Sequence, residues 1–219
     1  MPSEDEFCGS LYGELQSESA CSWYVTTSHR ELERGIGPLP LTARILELGG
    51  NLGEHCPFVE HPYAEYVVTD YRPVEFTPIN ERIHFEVADA QQLPYADGEF
   101  DRVIVTCVLH HLRDPEAALL EMRRVTAPGG IISVLIPCDP GMAYRAGKRI
   151  GPYRFLRRRK AAFDPRVFHY RQHRNHFPGL ETLLDHVFKE DTIRRRYWPW
   201  RIPLWNANLF VSYQIVVKG

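Results

Sequence analysis

The chain has 219 residues, 44% hydrophobic and 25% charged, with a formal net charge of −2. That is enough for one α/β domain with a sizeable core, and it carries no global sign of nucleic-acid binding. No apolar run approaches the ~18 residues of a membrane span, and the acidic start Met1–Ser10 lacks a signal-peptide pattern, so a cytoplasmic protein is expected. The five cysteines, Cys8, Cys21, Cys56, Cys107 and Cys138, form no C-x-x-C pair and read as free thiols.

In chain order, residues 1–20 are polar. Ser22–Ile36 has helical character and is stopped by Gly35, Gly37 and Pro38. Arg44–Leu48 reads as a strand running into Gly49-Gly50-Asn51-Leu52-Gly53, with at most a short helix before Pro57 and Pro62. Further strands are expected at Tyr66–Thr69, Ile83–Val87 and Arg102–Thr106. Ala118, Leu119, Met122 and Val125 give Pro115–Val125 a helical period. Pro128-Gly129-Gly130 then reads as a break before a fifth strand, Ile131–Ile136. A helix over Gly179–Phe188 and an antiparallel pair, Thr192–Trp198 and Asn208–Val217, close the chain. This alternation predicts a Rossmann-like, doubly wound α/β fold with a mostly parallel seven-stranded sheet and an antiparallel last strand. One domain is expected: an N-terminal segment 1–40, a core 41–137, a basic insertion 138–178 after strand 5, and a C-terminal part 179–219.

The insertion is unlike the rest. Residues 142–176 hold eleven Lys or Arg and a single acid, Asp164, which gives +10 and leaves −12 on the remainder. Its charge and interleaved aromatics favour an anionic partner over a merely solvated face. Tyr144, Arg145, His169, Tyr170, His173 and His176 are its candidate acceptor-binding residues. His169, His173 and His176 would share one helix face, a spacing that suits a metal, but no carboxylate stands beside them in sequence and no metal is expected.

Acidic and glycine-rich residues recur at expected strand ends, where open α/β sheets bind ligands. The glycines suit a tight turn with positive φ, and Asn51 tolerates that conformation better than most residues. Asp70 stands about 20 residues beyond them, where an acid can hold ribose hydroxyls. Asp89-Ala90 follows the third strand, where a carboxylate can meet an exocyclic amine. A turn-capping role is the plainer explanation of either acid.

The stretch Phe85–Pro137, FEVADAQQLPYADGEFDRVIVTCVLHHLRDPEAALLEMRRVTAPGGIISVLIP, carries a more specific signal. With the glycine turn, it resembles the small-molecule type 11, or ubiquinone-biosynthesis-like, group of class I S-adenosylmethionine-dependent methyltransferases over roughly residues 43–137. The resemblance implies that Gly49, Gly50, Asn51 and Gly53 lie under the methionine and ribose and that Glu47 steadies the turn near the methionine ammonium. It implies that Asp70 holds the ribose and Tyr71 packs on the adenine. Asp89 and Ala90 would meet the adenine edge, with Thr106 and Cys107 near the methionine. A dehydrogenase reading fits less well, because the glycines are spaced G-x-x-x-G rather than G-x-G-x-x-G.

Methyl transfer needs an aligned nucleophile, and a hydroxyl acceptor gains from a base. His110 and His111 follow the fourth strand and are the candidate bases. The expected reaction is O-methylation of a small anionic acceptor, such as a phosphorylated or nucleotide-linked sugar or a lipid-linked intermediate. RNA is an alternative acceptor, since basic surface and aromatics coincide. A non-catalytic cofactor-binding or interaction protein is the alternative outside enzymes.

Overall fold

The structure, a computed structural model, describes residues 19–158 and 164–219. Helix α1 (Ser19–Glu33) precedes β1 (Arg44–Leu48), β2 (Glu65–Asp70), β3 (Ile83–Val87) and β4 (Phe100–Thr106). Helix α2 (Pro115–Val125) leads into β5 (Thr126–Pro137). Three short helices follow: α3 (Met142–Ile150), α4 (Pro152–Arg158) and α5 (Pro165–Gln172). The chain ends with α6 (Phe177–Val187), β6 (Thr192–Trp198) and β7 (Phe210–Val216).

The strands form one seven-stranded sheet in the order β3-β2-β1-β4-β5-β7-β6. Strands β1 to β5 are mutually parallel, and β7 runs antiparallel to both β5 and β6. The chain winds outward from β1 to β3, then returns to β4 on the other side. The carboxyl ends of β1 and β4 therefore flank the topological switch point, where such sheets open a ligand crevice.

Alternation along the strands sorts the core into two faces. Leu46, Leu48, Val103, Val105, Ile132, Val134, Val211 and Tyr213 face one side, packed under α2 (Leu119, Met122) and α6 (Leu180, Leu184). Ile45, Tyr66, Val68, Ile104, Leu135 and Phe210 face the other, with Leu32 of α1. Asp114 caps α2, its Oδ1 accepting from Ala117 N at 3.0 Å, and Pro115 supplies the first helical residue.

Arg102 of β4 lies on the α1 side and is fully buried. Its guanidinium donates to both carboxylate oxygens of Glu33, at 2.6 and 3.0 Å, and to Ser133 Oγ. Glu33 also accepts from His55 Nε2 at 2.8 Å, and His55 Nδ1 accepts from His29. Burial alone would raise the Glu33 pKa. The bonds from His55 and Arg102 outweigh it and hold the value at about 2. This buried ionic network fastens α1 to the sheet and to the loop after β1.

The structure corrects four expectations. Helix α1 ends at Glu33, three residues before the expected stop, with Gly35 at φ +72° just beyond it. The turn after β1 leads to a single 3-10 turn, Cys56–Phe58, because Pro57 has no N–H to continue an α-helix. Strand β5 begins at Thr126, directly after α2. Pro128-Gly129-Gly130 lies inside the strand as a bulge, where pairing with β4 jumps from Phe100–Thr126 to Arg102–Ile131. Finally, α5 ends at Gln172, so His169, His173 and His176 do not share one helix face: His173 is the C-cap and His176 caps the start of α6.

Candidate functional site

Parallel register builds the glycine-turn side of the candidate site. Leu48 pairs with Thr69 of β2 and with Val105 of β4, so Gly49 leaves the sheet between Asp70 and Thr106. Gly49 (φ +64°), Asn51 (φ +47°) and Gly53 (φ +77°) all take the left-handed conformation that a sharp strand exit needs. A Cβ on Gly49 would sit 2.4 Å from Val108 Cγ2, and one on Gly50 would sit 2.8 Å from Glu47 Cδ, so neither position accepts a side chain. The turn closes with Gly53 N donating to Gly50 O, and Gly50 N is anchored on Thr69 O.

Glu47 lies buried beneath this turn, its Oε2 accepting from Tyr66 Oη at 2.8 Å and from the Cys56 thiol. Burial pushes its pKa up to about 8, outweighing the Tyr66 hydrogen bond and the Arg102 charge, which both pull it down. Asp70 ends β2, and its Oδ1 accepts from Arg72 N at 3.1 Å. Tyr71, beside it, is 73% exposed. Asp89 follows β3, and its Oδ1 accepts from Gln91 N and Nε2. Ala90 packs on the core nearby. Thr106 ends β4 with its Oγ1 buried and without a partner, and Cys107 turns away with φ +57°.

The second half of the site was scattered in sequence. His110 and His111 lie in a 3-10 turn, Leu109–His111, after β4. The segment after α5 is laced onto that turn: Arg174 N and Asn175 N donate to His110 O, and Asn175 Nδ2 donates to the carbonyls of Leu109 and Leu112. The rings of His110 and His173 stand 4.1 Å apart between centroids, and those of His169 and His173 stand 3.7 Å apart.

Asp139, just past β5, joins them, and the sequence reading missed it. Its Oδ2 accepts from His169 Nε2 at 2.9 Å and from His173 Nδ1 at 3.0 Å. Lys148 of α3 approaches Asp139 Oδ1 at 3.5 Å, contacts His169 Nε2 and lies over the Tyr144 ring. Burial alone would raise the Asp139 pKa. The two histidine bonds and the Lys148 ammonium win, and the carboxylate is held far below its usual range. Burial lowers the Lys148 pKa to about 8 and that of His173 to about 3, and it drives His110 well below its ordinary value. The only hint in sequence was an acid at an expected strand end, Cys138-Asp139-Pro140.

Of the other candidate acceptor residues, Tyr144 joins this cluster through Lys148, whereas Arg145 and His176 are exposed and Tyr170 is 78% exposed. Arg149, Arg154, Arg157, Arg158, Arg171 and Arg174 also present exposed side chains. Arg159, Lys160 and Phe163 of the basic stretch lie outside the described residues.

Comparison with known proteins agrees with this architecture. Residues 46–134 match the family model described as a methyltransferase domain. The 27-O-demethylrifamycin SV methyltransferase of Amycolatopsis mediterranei is 32% identical over 149 residues, 60% of this chain and 53% of that protein. The norajmaline N-methyltransferase of Rauvolfia serpentina is 44% identical over 101 residues, 42% of this chain and 35% of that protein. The chain thus spans about half or less of these curated relatives.

Among solved structures, a Thermotoga maritima S-adenosylmethionine-dependent methyltransferase superposes with a TM-score of 0.64 at 16% identity, covering 97% of this chain and 98% of that one. Haemonchus contortus phosphoethanolamine N-methyltransferase 2, in complex with S-adenosyl-L-methionine, superposes with a TM-score of 0.62 at 12% identity, covering 100% of this chain and 61% of that one. These two show the shared fold. No helix of the described residues is long and apolar enough to cross a membrane. Residues 46–134 are thus similar to a methyltransferase domain, and the chain has the fold of S-adenosylmethionine-dependent methyltransferases.

Proposed function

We propose that the chain transfers a methyl group from S-adenosylmethionine to a hydroxyl of a small anionic acceptor. One observation carries the reading: the register places Asp70, the glycine turn and the unpartnered Thr106 Oγ1 side by side, a few residues before the histidine turn. Gly49, Gly50, Asn51 and Gly53 would lie along the methionine and ribose, with Thr106 and Cys107 closing the methionine end. Glu47 would steady the turn and face the ammonium. Asp70 would hold the ribose hydroxyls, and Tyr71, Asp89 and Ala90 the adenine. When bound, the cofactor supplies an electrophilic methyl group, and the protein's task is alignment and removal of the acceptor's proton. His110 or His111 would take that proton, since both follow the carboxyl end of β4 beside the glycine turn.

The acceptor side is formed where the basic segment docks on the histidine turn. Tyr144, His169 and His173 line it from one side. Arg145, Tyr170 and His176 stand exposed on the same segment, where they would meet an acceptor as it enters. Of the described basic residues, Lys148 is turned inward to Asp139 and Arg166 is paired with Asp164, while the exposed arginines carry a net positive surface. That surface suits a phosphorylated, nucleotide-linked or lipid-linked acceptor.

The experiment is transfer of labelled methyl from S-adenosylmethionine onto cell extract separated into small molecules, RNA and protein. Label is expected in small anionic compounds. Label in RNA would replace the acceptor class, and cofactor binding with no label anywhere would favour a non-catalytic role.

A further inference from the structure

We propose that His110, His111 and His173 form a binding site for one divalent transition-metal ion of the zinc type. Each offers a ring nitrogen, and the three nitrogens lie within 4.8 Å of one another.

The hydrogen bonds decide which nitrogens are free. His173 spends its Nδ1–H on Asp139 Oδ2, at 3.0 Å, leaving Nε2 as a lone pair. His111 spends its Nδ1–H on the Gln172 carbonyl, at 2.9 Å, leaving Nε2 likewise. His110 is 4% exposed, and its Nδ1 is buried without a partner. A ring N–H fixed by a carboxylate or a backbone carbonyl is the support that metal-bound histidines receive, because it sets the tautomer and aims the other nitrogen. His111 and His173 thus present free lone pairs beside the buried His110 ring, a convergence that suits one shared cation.

The donor set selects the ion. Three neutral imidazoles suit zinc, cobalt, nickel or copper, whereas magnesium and calcium require oxygen ligands. At metal–nitrogen distances of about 2.0–2.1 Å the nitrogens must close to roughly 3.4 Å, a small rotation of rings on two adjoining turns. Three protein ligands leave a fourth position open to water or to an acceptor oxygen, as in catalytic rather than structural zinc sites. The neighbouring triad Asp139, His169 and His173 is the weaker site, because the Lys148 ammonium already occupies Asp139 and His169.

Two of the ligands sit on the turn after β4, and the third sits at the end of α5, so the ion would pin the basic segment over the crevice. Its binding does not depend on the methyl-transfer reading. Only its use, ionising an acceptor hydroxyl held at the fourth position with the proton passing to solvent, rests on that reading, and with the ion bound it would take the place of a free His110 or His111 base.

The test uses untagged full-length protein, stripped of metal and titrated with Co²⁺, without cofactor or acceptor. One ion per chain is expected, with the visible absorption of nitrogen-ligated Co²⁺ and a higher melting temperature for the wild type. His173→Gln and His110→Gln should each lose ~10-fold or more in affinity, while His169→Gln and His176→Gln bind as the wild type does. Absence of stoichiometric binding, or an unchanged wild-type melting temperature at saturating Co²⁺, overturns the site. An equal loss in His169→Gln also overturns it as assigned. Methyl transfer, measured separately on the same preparation, fails or succeeds independently of this result.

Discussion

His173 donates its Nδ1–H to Asp139 across 34 positions of sequence, and the pair ties the basic segment to the end of β5. The same Asp139 oxygen accepts from His169, and the Asp139 carbonyl accepts from Phe177 N at the start of α6. One residue therefore ties the basic segment, the end of β5 and the start of α6 together. Replacing Asp139 by Asn should weaken that docking while leaving the glycine turn untouched. Hydrogen bonds to a charged group are worth about 1.5–3 kcal/mol, so turnover or acceptor KM should worsen roughly 10- to 100-fold. Calorimetry should show unchanged cofactor affinity, and an equal loss in both quantities would mean that Asp139 supports the fold generally.

Asp70 should matter to the cofactor alone. Its side chain makes one bond to Arg72 N at a strand end, so Asp70→Ala should fold with nearly the wild-type melting temperature. Loss of charged hydrogen bonds to the ribose should cost about 1.5–3 kcal/mol of cofactor affinity. Wild-type affinity in the variant would remove Asp70 from that role.

Glu47 gives a pH signature. With a pKa of about 8 in the free protein, its buried carboxyl is largely protonated at pH 7. A methionine ammonium brought close would favour the charged form, so binding should release a proton. Cofactor affinity should then rise as pH climbs toward 8 and level off above it. Binding heats measured in buffers of different ionisation enthalpy check this, and Glu47→Gln should abolish the proton release.

The Arg102–Glu33 pair should be the most sensitive point of the fold away from the site. Removing one partner of a buried pair strands the other, so Glu33→Ala should cost about 3–5 kcal/mol in denaturant unfolding. Glu33 has a folded pKa of about 2, below its ordinary 4.5. Its contribution is therefore complete above the higher value and lost as pH falls through the lower one. Glu33→Gln should flatten that acid limb, and an unchanged limb would assign acid unfolding to other groups.

Much of this was legible in the sequence. The bounds of β1, β3, α2 and β6 follow from apolar periodicity and capping, and the mostly parallel, doubly wound sheet follows from the alternation of elements. The clustering of the glycine turn, Asp70 and Thr106 at one sheet edge was legible because glycines and acids fall at strand ends close to one another in sequence. Asp139 was not, because a lone acid before a proline reads as a turn, and its partners lie 30 and 34 residues away. The bulge at Pro128-Gly129-Gly130 was also hidden, since these residues break helices locally, whereas pairing with β4 keeps them in the strand. Arg102 escaped for a similar reason: a charge within a strand is buried only if a distant carboxylate meets it, and Glu33 stands 69 residues earlier.

The central claim is methyl transfer at the β1–β4 crevice, and its most direct measurement is label released from S-adenosylmethionine. The protein is incubated with methyl-labelled cofactor and the small anionic fraction of an extract, and acid-stable product is counted for the wild type, Asp70→Ala and the His110→Asn, His111→Asn double variant. Labelled product is expected with the wild type, a reduced yield with Asp70→Ala that excess cofactor restores, and little product with the double variant even at saturating cofactor. Cofactor binding with no labelled product from any fraction, or full activity in the double variant, would contradict it.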